Sequence, residues 1–169
     1  LIKGEDRTCF GVTEPDTGLD TTRLKTRAEW NGNEYVVNGR KIWTSGAQTA
    51  NKILLIARTT PLEETEKPID GLSLFYTDLD RSAVEITEIE KMGRKAADSN
   101  MLFIDGLKIP KENLIGEEGG GLRLALTTLN DGRLGLPAIA AGGLRHVADF
   151  SAQWAKSRVQ WGKQIGLHE

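Results

Sequence analysis

Cysteine is nearly absent. Cys9 stands alone among 169 residues, so no internal disulfide can form and the chain suits a reducing compartment. A lone cysteine of this kind reads as a small strand or core residue. Histidine is almost as scarce: His146 and His168 lie far apart, with no Cys or carboxylate frame around them, which argues against a metal site. Long apolar runs are missing too. The longest clear one, Ile53-Leu54-Leu55-Ile56-Ala57, falls far short of the roughly 20 residues a membrane-spanning helix needs. Neither sign of charge prevails. The net charge is −2 and no basic stripe with interleaved aromatics appears, so nucleic acid is not an expected partner. The first residue is not Met, Leu1–Asp6 reads as neither signal nor transit peptide, and the last residues carry no stop signal such as a capped helix with a polar tail. The expectation is a piece of a longer protein, cytoplasmic or, in a eukaryote, of a mitochondrial or peroxisomal matrix.

Two regimes are present. Up to about residue 118 the chain reads as strands and turns. Glu34–Val37 and Arg40–Trp43 flank Asn38-Gly39, a pair that tolerates the positive φ angles of a two-residue hairpin turn. Asn31-Gly32-Asn33 marks an earlier hairpin from Ala28–Trp30. Further strands are expected at Ile53–Arg58, Gly71–Thr77, Val84–Glu88 and Met101–Ile104, with a polar, proline-bounded loop over 60–70. Strands at short spacing without intervening helices predict an antiparallel β-barrel or sandwich. After Gly119-Gly120-Gly121 the period changes: Leu122, Leu126, Leu129, Arg133, Leu136, Ala140, Leu144 and Val147 recur at threes and fours, predicting one long helix to about Arg158, bent at Pro137. The fold class is therefore α+β, with domains 1–118 and 119–169. At 1.5 Å per residue such a helix reaches roughly 55 Å, longer than the β-domain can cover, so it calls for helical neighbours from other segments or subunits.

Four clusters are candidates for chemistry. In Gly11-Val12-Thr13-Glu14-Pro15-Asp16-Thr17-Gly18, Pro15 holds Glu14 extended and Gly18 opens a conformation closed to other residues. Such a loop presents N–H groups and a hydroxyl on a rigid edge, suited to an anion or a planar heterocycle; it also reads as a sharp surface turn built on Asp16. Trp43-Thr44-Ser45-Gly46 reads as a ring-covering aromatic with two hydroxyls, or as a core Trp before a polar turn. Asn130-Asp131-Gly132-Arg133 reads as a solvated helix face, except that Arg133 falls on the apolar stripe and there needs a buried partner or a ligand. In Arg158-Val159-Gln160-Trp161-Gly162-Lys163, Arg158 and Trp161 read as a phosphate or adenine clamp, or as a cation offsetting the helix dipole.

In order and spacing these clusters resemble the middle domain and the start of the C-terminal helical domain of the acyl-CoA dehydrogenase flavoprotein family. The resemblance rests on Thr-Glu-Pro-x-x-Gly-x-Asp at 13–20, Asn-Gly-x-Lys-x-Trp at 38–43, the triple glycine, Arg133, and Arg-x-Gln-Trp-Gly-Lys at 158–163. It implies FAD. Val12 and Thr13 would meet the flavin pyrimidine edge, with Phe10, Gly18 and Leu19 in the same cofactor-binding set. Trp43 would pack on the isoalloxazine face away from substrate, and Ser45 would place its hydroxyl near N5. Arg158, Gln160 and Trp161 would reach the adenosine and pyrophosphate of FAD on a neighbouring subunit, implying a homodimer or homotetramer. Leu19, Asn130 and Arg133 would border the acyl-CoA. The implied reaction is α,β-dehydrogenation, with electrons passing to an electron-transfer flavoprotein. Two departures stand out. Leu19 occupies a position most often Ser, a loss that Thr21 or Thr22 would offset, and Gly132 stands where a minority of the family carries its catalytic Glu. No catalytic residue is assigned within the chain. The alternatives are a flavin monooxygenase or oxidase of the same superfamily and a non-catalytic interaction module.

Overall fold

A computed structural model describes residues 2–168. It comprises two compact units, one running to Leu126 and the other starting at Thr127. The first unit holds β1 (Thr8–Gly11), β2 (Arg27–Trp30), β3 (Glu34–Ser45), β4 (Lys52–Arg58), β5 (Leu72–Asp78), β6 (Val84–Glu88), β7 (Ser99–Pro110) and β8 (Leu114–Ile115). Helix α1 (Gly121–Ser157) starts in this unit and continues into the second, which ends in a small hairpin of β9 (Val159–Gln160) and β10 (Lys163–Gln164).

The strands form one sheet in the order β6-β7-β3-β2-β4-β5-β8, with β1 against β4. A β-rich part followed by one long helix is the expected class, but the sheet is mixed rather than wholly antiparallel. β1 pairs with β4 in parallel, Thr8 opposite Lys52 through Gly11 opposite Leu55. The whole β2–β3 hairpin lies between these two strands in sequence, a connection long enough to bring the chain back in the same direction. Among the described residues the sheet also stays open rather than closing into a barrel: β6 forms one edge and β8, two residues long, the other.

The apolar run in β4 has a structural cause. Ile53, Leu55 and Ala57 enter one buried cluster with Val37, Phe75, Leu102 and Ile109. Leu54 and Ile56 join a second cluster, with Leu24, Leu72, Leu74, Leu122 and Ala125. Both faces of β4 are covered, so it shows no polar alternation. Cys9 lies in the first cluster, where burial pushes its thiol up to about 11 and leaves it unreactive.

Asn38-Gly39 does not turn the chain. β3 runs straight through it, and the hairpin forms only at Asn31-Gly32-Asn33, where Asn31 Oδ1 accepts from the N–H groups of Asn33 and Glu34. The pair instead marks a register shift: Val37 faces Leu107 and Gly39 faces Ile104, so β7 carries an extra residue. Asn38 Oδ1 accepts from Gly106 N at 2.8 Å and steadies that bulge. Gly39 is required by proximity, since a Cβ there would lie 2.7 Å from Thr26 Cα.

The loop after β1 is fastened to β3 from inside. Lys41, with no exposed surface, donates through Nζ to Glu14 Oε1 and to the Val12 carbonyl, both at 2.9 Å. Glu14, 5% exposed, also accepts from Lys25 N at 2.7 Å and Thr26 N at 2.9 Å. Burial works to raise the Glu14 pKa, but the Lys41 charge and these N–H donors outweigh it and hold it below its ordinary 4.5. Burial likewise lowers Lys41, to about 8 against the opposing pull of Glu14.

The start of α1 packs closely on β5: a Cβ on Gly121 would fall inside the Ser73–Leu74 backbone. The helix runs unbroken through Pro137, which has no N–H for the Arg133 carbonyl. Its later apolar residues, among them Leu134, Ile139, Leu144, Phe150 and Trp154, are exposed in this chain.

Two stability predictions follow from these contacts. Gly121→Ala should cost about 3 kcal/mol through overpacking, read as a lower urea midpoint; an unchanged midpoint would contradict the packing at Ser73–Leu74. Because the folded-state pKa of Glu14 is depressed, its contribution is complete above the unfolded carboxylate range and disappears as pH falls through the folded value. Glu14→Gln should therefore destabilise by about 3–5 kcal/mol at pH 7, with the gap to wild type shrinking as pH drops below 4.5. A gap that does not change with pH would refute the buried charge pair.

Candidate functional site

In β3, alternate residues Tyr35, Val37 and Lys41 are buried. Continued alternation would turn Trp43 inward as well. Instead the register shifts again: Lys41 faces Leu102 and Thr44 faces Asn100, so the extra residue is now in β3. Trp43 takes up the bulge with φ 61°, in the left-handed region. Its side chain comes out 58% exposed and Thr44 takes the buried position. Left-handed backbone costs a bulky side chain about 1–3 kcal/mol. The Thr44 hydroxyl adds to that cost, being buried without a hydrogen-bond partner. Bulges that re-aim a side chain against local preference occur beside functional sites.

The loop after β1 lies next to this bulge. Ile42 N donates to the Thr13 carbonyl at 2.8 Å, which joins the residue before Trp43 to the Val12–Thr13 edge. Within the loop, Glu14 and Thr17 exchange backbone hydrogen bonds at 3.0 and 3.1 Å, closing a tight turn over Pro15-Asp16. Its rigidity comes from that closure and from the Glu14 carboxylate. Gly18 contributes no left-handed conformation, contrary to expectation, and a Cβ there would make only an ordinary 3.7 Å contact with Thr13 Cγ2.

Beyond Trp43 the chain turns through Ser45–Ala50, held from both sides. Asp98 accepts from Gly46 N at 3.0 Å and Gln48 N at 3.1 Å. Asn100 donates to the Thr44 carbonyl and accepts from Gln48 Nε2. Arg81 donates to the carbonyls of Ala47, Gln48 and Ala50. Burial pushes the Asp98 pKa up, but the Asn100 side chain and the Gln48 and Gly46 amides outweigh it and bring it below the usual carboxylate range. Ser45 is exposed on this fixed turn, beside a cavity of about 410 Å³ lined also by Lys91, Arg94, Ala97 and Ser99. Sequence reading missed Glu14, Lys41, Asp98, Asn100 and Arg81 as supports. Lys41 alone left a signal, since alternation from Tyr35 and Val37 puts it inside.

Thus the Val12–Thr13 edge is joined to the strand beside Trp43, and Ser45 follows two residues further along the same strand. Phe10 and Val12 are half-buried against the second core cluster. Leu19 is fully exposed and Gly18 beside it is exposed. Thr22 donates its hydroxyl to Asp20 Oδ1 at 2.6 Å.

In the second unit, Arg133 and Asn130 are both exposed and bonded to each other at 2.9 Å. Among the described residues Arg133 has no buried partner, because the face of α1 that carries it is itself exposed. Arg158, Gln160 and Trp161 share the terminal hairpin. With its oxygen facing the guanidinium, the Gln160 amide accepts from Arg158 Nε at 3.1 Å. Trp161 is a second left-handed tryptophan, φ 47° and 90% exposed, edge-on to His168 with ring centroids 5.7 Å apart. Strained, projecting tryptophans serve contact with something outside the chain better than they serve the fold.

Comparison with known proteins bears on both units. Residues 9–107 match the family model described as acyl-CoA dehydrogenase, middle domain, and residues 119–169 match acyl-CoA dehydrogenase, C-terminal domain. The chain is 38% identical over 163 residues to the probable acyl-CoA dehydrogenase FadE10 of Mycobacterium bovis, covering 95% of this chain and 25% of that protein. It is 34% identical over 157 residues to the mitochondrial short/branched chain specific acyl-CoA dehydrogenase of Rattus norvegicus, covering 92% of this chain and 35% of that one. Among solved structures, an acyl-CoA dehydrogenase from Geobacillus kaustophilus superposes with a TM-score of 0.90 at 30% identity, covering 99% of this chain and 44% of that one. The chain therefore spans less than half the length of these relatives. With two consecutive domain models matched in order, and a backbone that follows the same course, the chain belongs to the acyl-CoA dehydrogenase family.

Proposed function

We propose that the protein carrying this chain is an FAD-dependent dehydrogenase that removes hydrogen from Cα and Cβ of an acyl-CoA thioester. Residues 1–118 act as its middle domain and 119–169 as the start of its C-terminal helical domain. The observation that supports this best is the Ile42 N to Thr13 O hydrogen bond, which sets a hydroxyl-bearing loop edge beside an outward-turned, strained Trp43. A flat heteroaromatic ring fits that pair: polar groups for its edge and an indole for its face.

When bound, FAD supplies the hydride acceptor. Val12 and Thr13 bind the pyrimidine edge, Phe10, Gly18 and Leu19 border it, and Trp43 covers the face away from substrate. Ser45 offers its hydroxyl near N5 from a turn that Asp98 and Arg81 keep still. Arg158, Gln160 and Trp161 hold pyrophosphate and adenosine in a neighbouring copy, so the working form is a homodimer or homotetramer. The exposed apolar face of α1 supports helical neighbours in that assembly. Asn130 and Arg133 meet the substrate at the pantetheine end, and an electron-transfer flavoprotein takes the electrons.

The α-proton needs a carboxylate base, and Glu14 does not serve. It is buried, ion-paired to Lys41 and hydrogen-bonded to two backbone amides. Gly132 has no side chain to offer beside Arg133. The proposal therefore places the base on a carboxylate outside these 169 residues.

Three variants of the full-length protein test the reading. Trp43→Gly should raise the stability of the cofactor-free protein by about 1 kcal/mol, by relieving the left-handed strain, and should weaken FAD retention about tenfold. Lower stability with undiminished FAD would make Trp43 a packing residue. Arg158→Ala should also lower FAD retention, measured as flavin per subunit after gel filtration, and full occupancy would remove it from the site. Ser45→Ala should keep FAD but change the rate at which an acyl-CoA bleaches the flavin; wild-type rates would exclude its hydroxyl. Rapid oxygen consumption by the reduced protein would favour an oxidase over a dehydrogenase.

A further inference from the structure

The buried pair beneath the loop has a directional consequence. Lys41 Nζ grips the Val12 carbonyl at 2.9 Å. The Val12–Thr13 peptide is trans, so its N–H lies opposite its C=O. A carbonyl drawn inward to Lys41 therefore sends the Thr13 N–H outward. The next peptide is fixed as well, its carbonyl accepting from Ile42 N at 2.8 Å and its N–H, that of Glu14, donating to Thr17 O at 3.0 Å. Glu14 completes the arrangement by holding Lys41 in place through Oε1 while its carboxylate is anchored on the amides of Lys25 and Thr26. Lys41 and Glu14 sit in β3 and in the loop respectively, so the pair also fixes the separation between the Thr13 edge and Trp43.

We infer that Lys41 and Glu14 are positioning residues that aim the Thr13 N–H at the bound ring. They touch neither cofactor nor substrate. A fold needs no ammonium at this spot, since an apolar side chain of similar length fills the same volume and replacing a buried ion pair in this way is often neutral for stability. What an apolar side chain does not supply is a donor to orient one peptide plane. This inference rests on the flavin reading above and adds the device that orients its binding edge.

The test uses the full-length protein and FAD, comparing wild type, Lys41→Met and the double variant Lys41→Met/Glu14→Gln. The double variant leaves no unpaired buried charge and so remains folded if the single variant does not. The readouts are the FAD dissociation constant and the midpoint potential of the bound flavin, because a hydrogen bond to the ring edge favours the electron-richer form. The double variant should bind FAD about tenfold more weakly and shift the reduction equilibrium about tenfold towards the oxidised form; for a two-electron couple that is about 30 mV. Retention of the wild-type urea midpoint alongside those changes would support orientation rather than structure. A folded double variant with wild-type dissociation constant and potential would overturn the inference while leaving the flavin reading intact. Wild-type protein that takes up no FAD would overturn both.

Discussion

The ion pair between Lys41 and Glu14 is the constraint on which the rest of the site depends. It joins a loop and a strand that are remote in sequence, and it does so inside, where neither group is screened by water. An isolated charge there would be prohibitive. The pair is tolerated because the Lys41 ammonium has two acceptors and the Glu14 carboxylate has two backbone amides besides its cation. Such an arrangement adds little net stability over a well-packed apolar core, yet losing one partner is severe. Its use is to fix direction. Polar partners define which way a peptide plane faces, and hydrophobic contacts do not.

The second constraint is the bulge at Trp43. A regular strand would bury the indole, and left-handed backbone is among the least favourable settings for it. The surrounding structure enforces the geometry: Lys41 anchors the strand on one side of Trp43, and Asn100, Asp98 and Arg81 clamp the turn on the other. A strained residue held between two polar anchors is constrained from both sides, which suits the flat ring proposed to lie against it. The same logic applies at the β9–β10 turn, where Trp161 is left-handed and projects.

Much of this was legible in the sequence, and the rest was hidden for definable reasons. The apolar run of β4, the stripe of α1 and the turn at Asn31–Asn33 are local patterns, and they gave the right elements. Asn38-Gly39 has the chemistry of a hairpin turn, but Gly39 serves a tertiary approach to Thr26, which sequence spacing does not reveal. Parallel pairing of β1 with β4 is equally non-local. Val12, Thr13, Trp43 and Ser45 could be singled out from motif order, whereas the side chains that hold their backbone could not. Asp98 reaches Gly46, and Arg81 reaches Ala47, across distances in sequence that no short pattern encodes. Arg133, read as needing a buried partner or a ligand, lies exposed on a helix face whose expected helical neighbours are not among the described residues.

The central claim is that the Val12–Thr13 edge and the Trp43 bulge together form one face of a flavin cradle. The most direct measurement is a crystal structure of the full-length protein with FAD bound. The account predicts Thr13 N within about 3.2 Å of an acceptor on the flavin pyrimidine edge, with the Trp43 ring lying against the isoalloxazine. A flavin bound elsewhere, with Trp43 turned to solvent and the Thr13 amide facing no ligand, would contradict it.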